Sequence, residues 1–187
     1  SKIEMKQMRI SVRKGDIMHF LEELSHIFDI VAGEREIDFI VNLEDTEEEV
    51  WFSPSKLERI LYNLLSNAFK YTQPGGYVKL SAKLIKEEKE TFVQISVKDN
   101  GRGIPKEAQE QIFESYYQVE KRDHREGFGL GLSLTRSLIH MHKGEIRVES
   151  EINKGSDFIV TLNVSEDAYN PDERSSENIT TEEIQKY

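Results

Sequence analysis

The chain has 187 residues, 37% hydrophobic and 32% charged, with no cysteine and a formal net charge of -10 at pH 7. That length suits one domain with a sizeable core, and the lack of cysteine excludes disulfides and thiolate metal sites. The acidic balance argues against a general nucleic-acid binder, and no apolar run approaches the ~18 residues of a membrane span.

Residues 1–8 read as the frayed end of a longer helix, and Arg9-Ile10-Ser11-Val12 as a short strand. From Asp16, apolar residues recur at helical spacing from Ile17 to Val31, and Gly33 is expected to end that helix. Residues 37–43 alternate as a strand, with Ile37, Phe39, Val41 and Leu43 on one face. Ser53-Pro54 supplies an N-cap and a first-turn proline for a helix running to about Thr72. The turn Pro74-Gly75-Gly76 feeds two alternating runs, 77–85 and 92–98, joined by a charged hairpin. Pro105 opens a helix to about Phe113, residues 118–127 form a loop, and a second helix covers about 131–142 before Gly144. Strands at 145–150 and 157–164 close the domain. The apolar pattern then stops, and residues 165–187, with seven acids against two bases, read as an acidic linker or disordered tail. The whole predicts a two-layer α/β sandwich, its mixed and mostly antiparallel sheet covered by helices on one face.

Three segments carry chemistry. On the helix after Pro54, Leu57, Ile60, Leu61, Leu64, Leu65 and Ala68 make one apolar stripe, beside a face of Asn63, Asn67, Lys70 and Tyr71. Two asparagines one turn apart beside a lysine suit a magnesium–phosphate site, because amide oxygens are hard, neutral ligands. An ordinary solvated helix face is the alternative. At Asp99-Asn100-Gly101-Arg102-Gly103, the strand's period of two puts Asp99 on the inward face with Val93, Ile95 and Val97. A buried carboxylate needs donors, such as the exocyclic amine of a ligand base, although Asp, Asn and Gly also make plain turns. In Gly127-Phe128-Gly129-Leu130-Gly131-Leu132, glycine backbone leading into a helix suits phosphate binding, or else a hinge.

Taken in order, these segments resemble the N, first glycine, F and second glycine boxes of sensor histidine kinases. That family shares a superfamily with gyrase-type ATPases and the heat-shock chaperone. The matching stretches run from Asn63 to Tyr71, from Asp99 to Gly103, from Ile112 to Tyr117 and from Gly127 to Leu132, with a closing Gly155-Ser156-Asp157-Phe158. The resemblance implies a Bergerat-type ATP-binding fold over residues 9–164, with residues 1–5 similar to the last turn of the dimerisation helix. It also implies roles: Asn67 as a magnesium ligand supported by Asn63, Lys70 and Tyr71 on the phosphates, and Asp99 on the adenine amine. Gly101, Gly103, Ile104, Leu132 and Ser156 would shape the pocket. Gly127, Gly129, Leu130 and Gly131 would wrap the triphosphate, under a lid whose Lys121, Arg122 or Arg125 reaches the γ-phosphate.

The resemblance further implies ATP and Mg2+ as ligands, and as partners a histidine-bearing dimerisation domain and a response regulator receiver domain. Nucleic acid and direct membrane contact are not expected; a cytoplasmic location is, with any inner-membrane anchor elsewhere in a parent protein. Asn63 stands where the superfamily's hydrolytic members carry a glutamate base, and an amide cannot take a proton from water. Transfer to a histidine therefore fits better than hydrolysis, with Asn63, Asn67 and Lys70 as catalytic candidates. A degenerate nucleotide-gated module and a hydrolytic ATPase are the alternatives. The pattern departs from the family at Ser115, where arginine is frequent, and at Ser53, where aspartate often stands. His19, His26, His124, His140 and His142 all lie outside the family's acceptor context.

Overall fold

The structure, a computed structural model, describes residues 9–114 and 132–187. Five strands form the main sheet: β2 (Asp38–Leu43), β4 (Tyr77–Lys86), β5 (Thr91–Asp99), β6 (Glu145–Glu151) and β7 (Gly155–Asn163). Their order is β2-β4-β5-β7-β6, with β2 and β4 parallel and every other pair antiparallel. A separate antiparallel ribbon joins β1 (Arg13–Asp16) to β3 (Glu49–Phe52). Helices α1 (Ile17–Ser25), α2 (Ile27–Arg35), α3 (Pro54–Tyr71) and α4 (Leu132–Met141) cover one face of the sheet, giving the expected two-layer α/β sandwich.

The core follows from the periodicities. Leu57, Ile60, Leu61, Leu64, Leu65 and Ala68 of α3 are all buried against Val78, Leu80, Val93, Ile95 and Val97 of the central strands. Each large apolar side chain so placed contributes about 1.5–3 kcal/mol. Phe69 stacks on Phe28 of α2 at 5.7 Å and meets Phe39 of β2 edge-on at 5.3 Å, which joins helix layer to sheet edge. Ser53 caps α3 by accepting from the Lys56 N–H at 3.4 Å, as its sequence predicts.

Four expectations need correction. The first strand lies at 13–16 rather than 9–12, because its backbone partners on β3 begin at Phe52 opposite Arg13. The helix from Ile17 is two helices broken at His26, where the Ser25 hydroxyl donates to the Glu22 carbonyl at 2.6 Å and competes with the helical ladder. It ends at Glu36, in the left-handed region with φ 56°, rather than at Gly33. The segment after Pro105 forms two 3-10 turns, Lys106–Ala108 and Gln111–Phe113, rather than a helix. Between them the Gln109 side chain donates to the carbonyls of Ile104 and Ser150, fixing the segment to the sheet.

The fourth correction concerns residues 165–187, which are folded against the domain. Two 3-10 turns, Glu166–Ala168 and Pro171–Glu173, lead to α5 (Thr181–Ile184). Tyr169, Ile179 and Ile184 are buried, and the Tyr169 hydroxyl donates to the Asn163 carbonyl at 2.6 Å. The tail also bonds to the backbone of the first strand and of Val12 just before it: Val12 N–H to Glu173 O, Ser175 N–H to Val12 O, and Ile179 N–H to Lys14 O. Few apolar residues suffice here because Tyr169, Ile179 and Ile184 each join apolar clusters of the domain, while Glu166, Asp167, Asp172, Glu177 and Glu182 are exposed.

Candidate functional site

A pocket opens between α3, the end of β5 and the start of α4. It is lined by Asn67, Ala68, Tyr71, Asp99, Arg102, Gly103, Ile104, Leu132, Ser156 and Phe158. Asp99 is 6% exposed and completes the inward row of Val93, Ile95 and Val97. Burial pushes its carboxyl up to about 6; the N–H groups of Gly101 and Ser156 oppose that shift, and the nearby charge of Asp157 adds to it. The Gly101 N–H donates to Asp99 Oδ1 at 2.8 Å, so one carboxylate oxygen is engaged by the turn that follows it.

The turn itself is held on both sides. A Cβ at Gly101 would strike the Tyr71 carbonyl, and one at Gly103, where φ is 71°, would strike the Glu151 carbonyl. Asn100 serves the fold: its Oδ1 accepts from the Tyr77 N–H at 2.7 Å. The Ile104 N–H donates to Ser150 Oγ at 2.8 Å, and Ser150 Oγ lies 2.7 Å from Ser156 Oγ, which ties two pocket residues to β6. Ala68, Ile104, Leu132 and Phe158 supply apolar walls, beside which stand the buried Asp99 carboxylate and the polar side chains of Asn67, Tyr71, Arg102 and Ser156. Such a pocket suits a flat aromatic group with an amine to donate.

The structure brings together Asn67, Tyr71, Asp99, Gly103, Ile104, Leu132 and Ser156 from the expected set. Gly101 stands behind the pocket in its supporting turn. Lys70 is exposed, its ammonium 5.4 Å from the Tyr71 ring centroid, and does not line the pocket. Asn63 lies one turn before Asn67, and its Nδ2 donates to Thr135 Oγ1 of α4 at 3.0 Å. Lys121, Arg122, Arg125, Gly127, Gly129, Leu130 and Gly131 lie outside the described residues, as do residues 1–8.

Three lining residues were not expected. Ala68 belongs to the core stripe, and its small side chain leaves room beside Asn67. Phe158 shares strand parity with Ser156, the signal by which it was legible. Arg102 stands between the two glycines, its guanidinium 4.2 Å over the Tyr71 ring, a cation–π contact no sequence spacing indicates.

Residues 52–166, more than half of the chain, match the family model described as histidine kinase-, DNA gyrase B- and HSP90-like ATPase. The chain belongs to this ATPase family. Among relatives, the sensor histidine kinase WalK of Bacillus subtilis (strain 168) is 34% identical over 169 residues, 89% of this chain and 27% of that protein. The adaptive-response sensory kinase SasA of Synechococcus sp. (strain JA-2-3B'a(2-13)) is 39% identical over 134 residues, 72% of this chain and 34% of that protein. The chain thus spans about a quarter to a third of these curated relatives. Among solved structures, full-length ShkA in complex with AMPPNP matches with a TM-score of 0.71 at 26% identity, over 84% of this chain and 32% of that one. The nucleotide-free catalytic domain of histidine kinase ThkA has a TM-score of 0.72 at 24% identity, covering 86% of this chain and all of that one, a likeness of fold. This member of the ATPase family therefore carries its buried aspartate and amide-bearing helix on a histidine kinase catalytic fold. Among the described residues, no helix is long and apolar enough to cross a membrane.

Proposed function

We propose that this domain binds MgATP in the pocket and transfers the γ-phosphoryl group to a histidine on a separate dimerisation domain of the same parent kinase. A response regulator receiver domain would take the phosphoryl group next, and the domain would work in the cytoplasm, where ATP is supplied. The observation that supports this reading is the buried Asp99 carboxylate in one pocket with the apolar Ala68, Ile104, Leu132 and Phe158 and with Asn67. An ionised carboxylate only accepts hydrogen bonds, so it favours the adenine amine over the carbonyl of guanine.

The residues present fit a magnesium ion held chiefly through nucleotide phosphates, with the Asn67 amide oxygen as the protein ligand and Asn63 in support. When bound, the ion would neutralise charge developing on the transferred group. Asn63 lacks the carboxylate that would activate water, whereas an incoming imidazole brings its own nucleophilic nitrogen. Transfer then depends on positioning and charge neutralisation. In sequence Gly127, Gly129 and Gly131 precede α4, whose first residue Leu132 lines the pocket, and their N–H groups would serve the phosphates together with Arg125, Lys70 and Tyr71.

The test is to mix the domain with a separate histidine-bearing dimerisation domain and labelled ATP. Acid-labile, base-stable label is expected on the partner and not on this chain. Steady ATP hydrolysis without partner labelling would overturn transfer in favour of an ATPase, and ATP binding with neither reaction would favour a nucleotide-gated module.

A further inference from the structure

Thr135 lies on the first turn of α4, fully buried, and its Oγ1 accepts from Asn63 Nδ2 at 3.0 Å. An asparagine amide is nearly symmetric in shape but opposite in polarity at its two ends. Rotating it by half a turn replaces a carbonyl oxygen with an NH2 group. For a residue beside a cation that rotation changes the sign of the interaction: the oxygen attracts the ion and the amine hydrogens repel it. The bond to Thr135 occupies the nitrogen end of Asn63. A threonine hydroxyl inside a helix often donates its hydrogen to a carbonyl of the preceding turn, which leaves the oxygen as an acceptor.

The helix carrying Thr135 is also pinned elsewhere. His142, just past the end of α4, accepts from the Ser53 N–H through Nε2 at 3.1 Å, while its Nδ1–H donates to the Leu138 carbonyl at 2.9 Å. Leu132, Leu138 and Ile139 of α4 are buried in the core. Packing and the His142 bond therefore help to hold α4 against α3 independently of the bond between Thr135 and Asn63.

We propose that Thr135 is a positioning residue for phosphoryl transfer: its hydroxyl holds the Asn63 amide with the oxygen turned toward the metal. The assignment rests on the proposed magnesium role of Asn63. It also places the metal site and the helix that follows the glycine segment under one hydrogen bond, so that displacing α4 disturbs the amide.

The experiment compares Thr135→Val, which lacks the hydroxyl but keeps the branched shape, with Thr135→Ser, which retains it. ATP affinity is measured by calorimetry with magnesium and with EDTA, and the Asn63 side-chain amide is followed by NMR in the metal-free domain. Thr135→Val is expected to lower MgATP affinity about ten-fold, as for loss of ~1.4 kcal/mol. Metal-free ATP affinity should stay unchanged and the Asn63 amide protons should lose protection. Thr135→Ser should preserve all three readings. Unchanged MgATP affinity in Thr135→Val, or an equal loss with and without metal, would overturn the proposal. If the valine variant fails to fold, Thr135→Ala supplies the same comparison. Asn63→Ala separates the two levels of inference: unchanged MgATP affinity there removes the metal role of Asn63 and the Thr135 assignment with it. Failure of the unmodified domain to bind ATP would instead remove the proposed function itself.

Discussion

Arg13 and Glu183 form a bidentate ion pair, with Nη1 2.9 Å and Nη2 2.7 Å from the two carboxylate oxygens. It joins the first strand to the last helix of the chain. Arg13 also donates to the carbonyls of Glu177 and Asn178, so one side chain holds three points of the tail. The hydrogen bond to Arg13 lowers the pKa of Glu183, and the pair is partly solvent-exposed. An exposed pair contributes about 0–1 kcal/mol, whereas burial of Tyr169, Ile179 and Ile184 contributes about 1.5–3 kcal/mol each. Apolar contact therefore holds the tail, and the ion pair sets its register.

Deleting residues 166–187 is expected to destabilise the domain by several kcal/mol, on the order of 3–6. Arg13→Ala should cost about 1 kcal/mol or less. Urea unfolding of the two variants measures both. A truncation with unchanged stability would show that the tail is not part of the fold.

Gly103→Ala is expected to lower stability by about 1–3 kcal/mol and to impair nucleotide binding, because φ is 71° and the new methyl would strike the Glu151 carbonyl. Gly33→Ala is the contrasting case. Its Cβ would meet nothing within 4 Å inside α2, so a gain of about 0.5–1 kcal/mol is expected. Thermal melts of the pair check both directions.

Two buried groups give opposing pH dependence. Burial lowers His142 from 6.5 to about 4, so between those values the unfolded chain holds a proton the folded one lacks. Stability from this group is full above about 6.5 and is lost as pH falls toward 4. Burial raises Asp99 from 3.8 to about 6, so between those values the folded chain holds the extra proton, and stability falls as pH rises. Each effect is worth about 3 kcal/mol and they largely cancel between pH 4 and 6. Asp99→Asn should therefore expose the histidine slope, losing about 3 kcal/mol more than the unmodified domain between pH 7 and pH 4. Parallel stability–pH curves for the two proteins would contradict this account.

Asn67→Ala is expected to cost well over ~1 kcal/mol of MgATP affinity and little of metal-free affinity, since magnesium would lose the oxygen ligand proposed for it. Asp99→Asn should instead reduce the preference for ATP over GTP, because an amide can both donate and accept. Competition calorimetry with ATP and GTP, with and without magnesium, distinguishes the two sites.

The sequence by itself determined the layer architecture, the apolar stripe of α3 and the inward position of Asp99. These are consequences of local period: 3.6 residues per helical turn and two per strand select which face is apolar. It also carried the motif order that implied an ATP site. Only tertiary structure decided where the tail goes, because Ile179 and Ile184 have no local periodicity and gain burial only on a surface built by β1 and α1. The break at His26 goes with a local bond from Ser25 to Glu22 that apolar periodicity does not reveal, whereas tertiary structure turned the segment after Pro105 into 3-10 turns, through the Gln109 side chain on the Ser150 carbonyl. The contacts of Arg102 with Tyr71 and of Thr135 with Asn63 belong to the same class. Each joins residues on different elements, and the distance between them is set by packing of the whole core rather than by spacing along the chain.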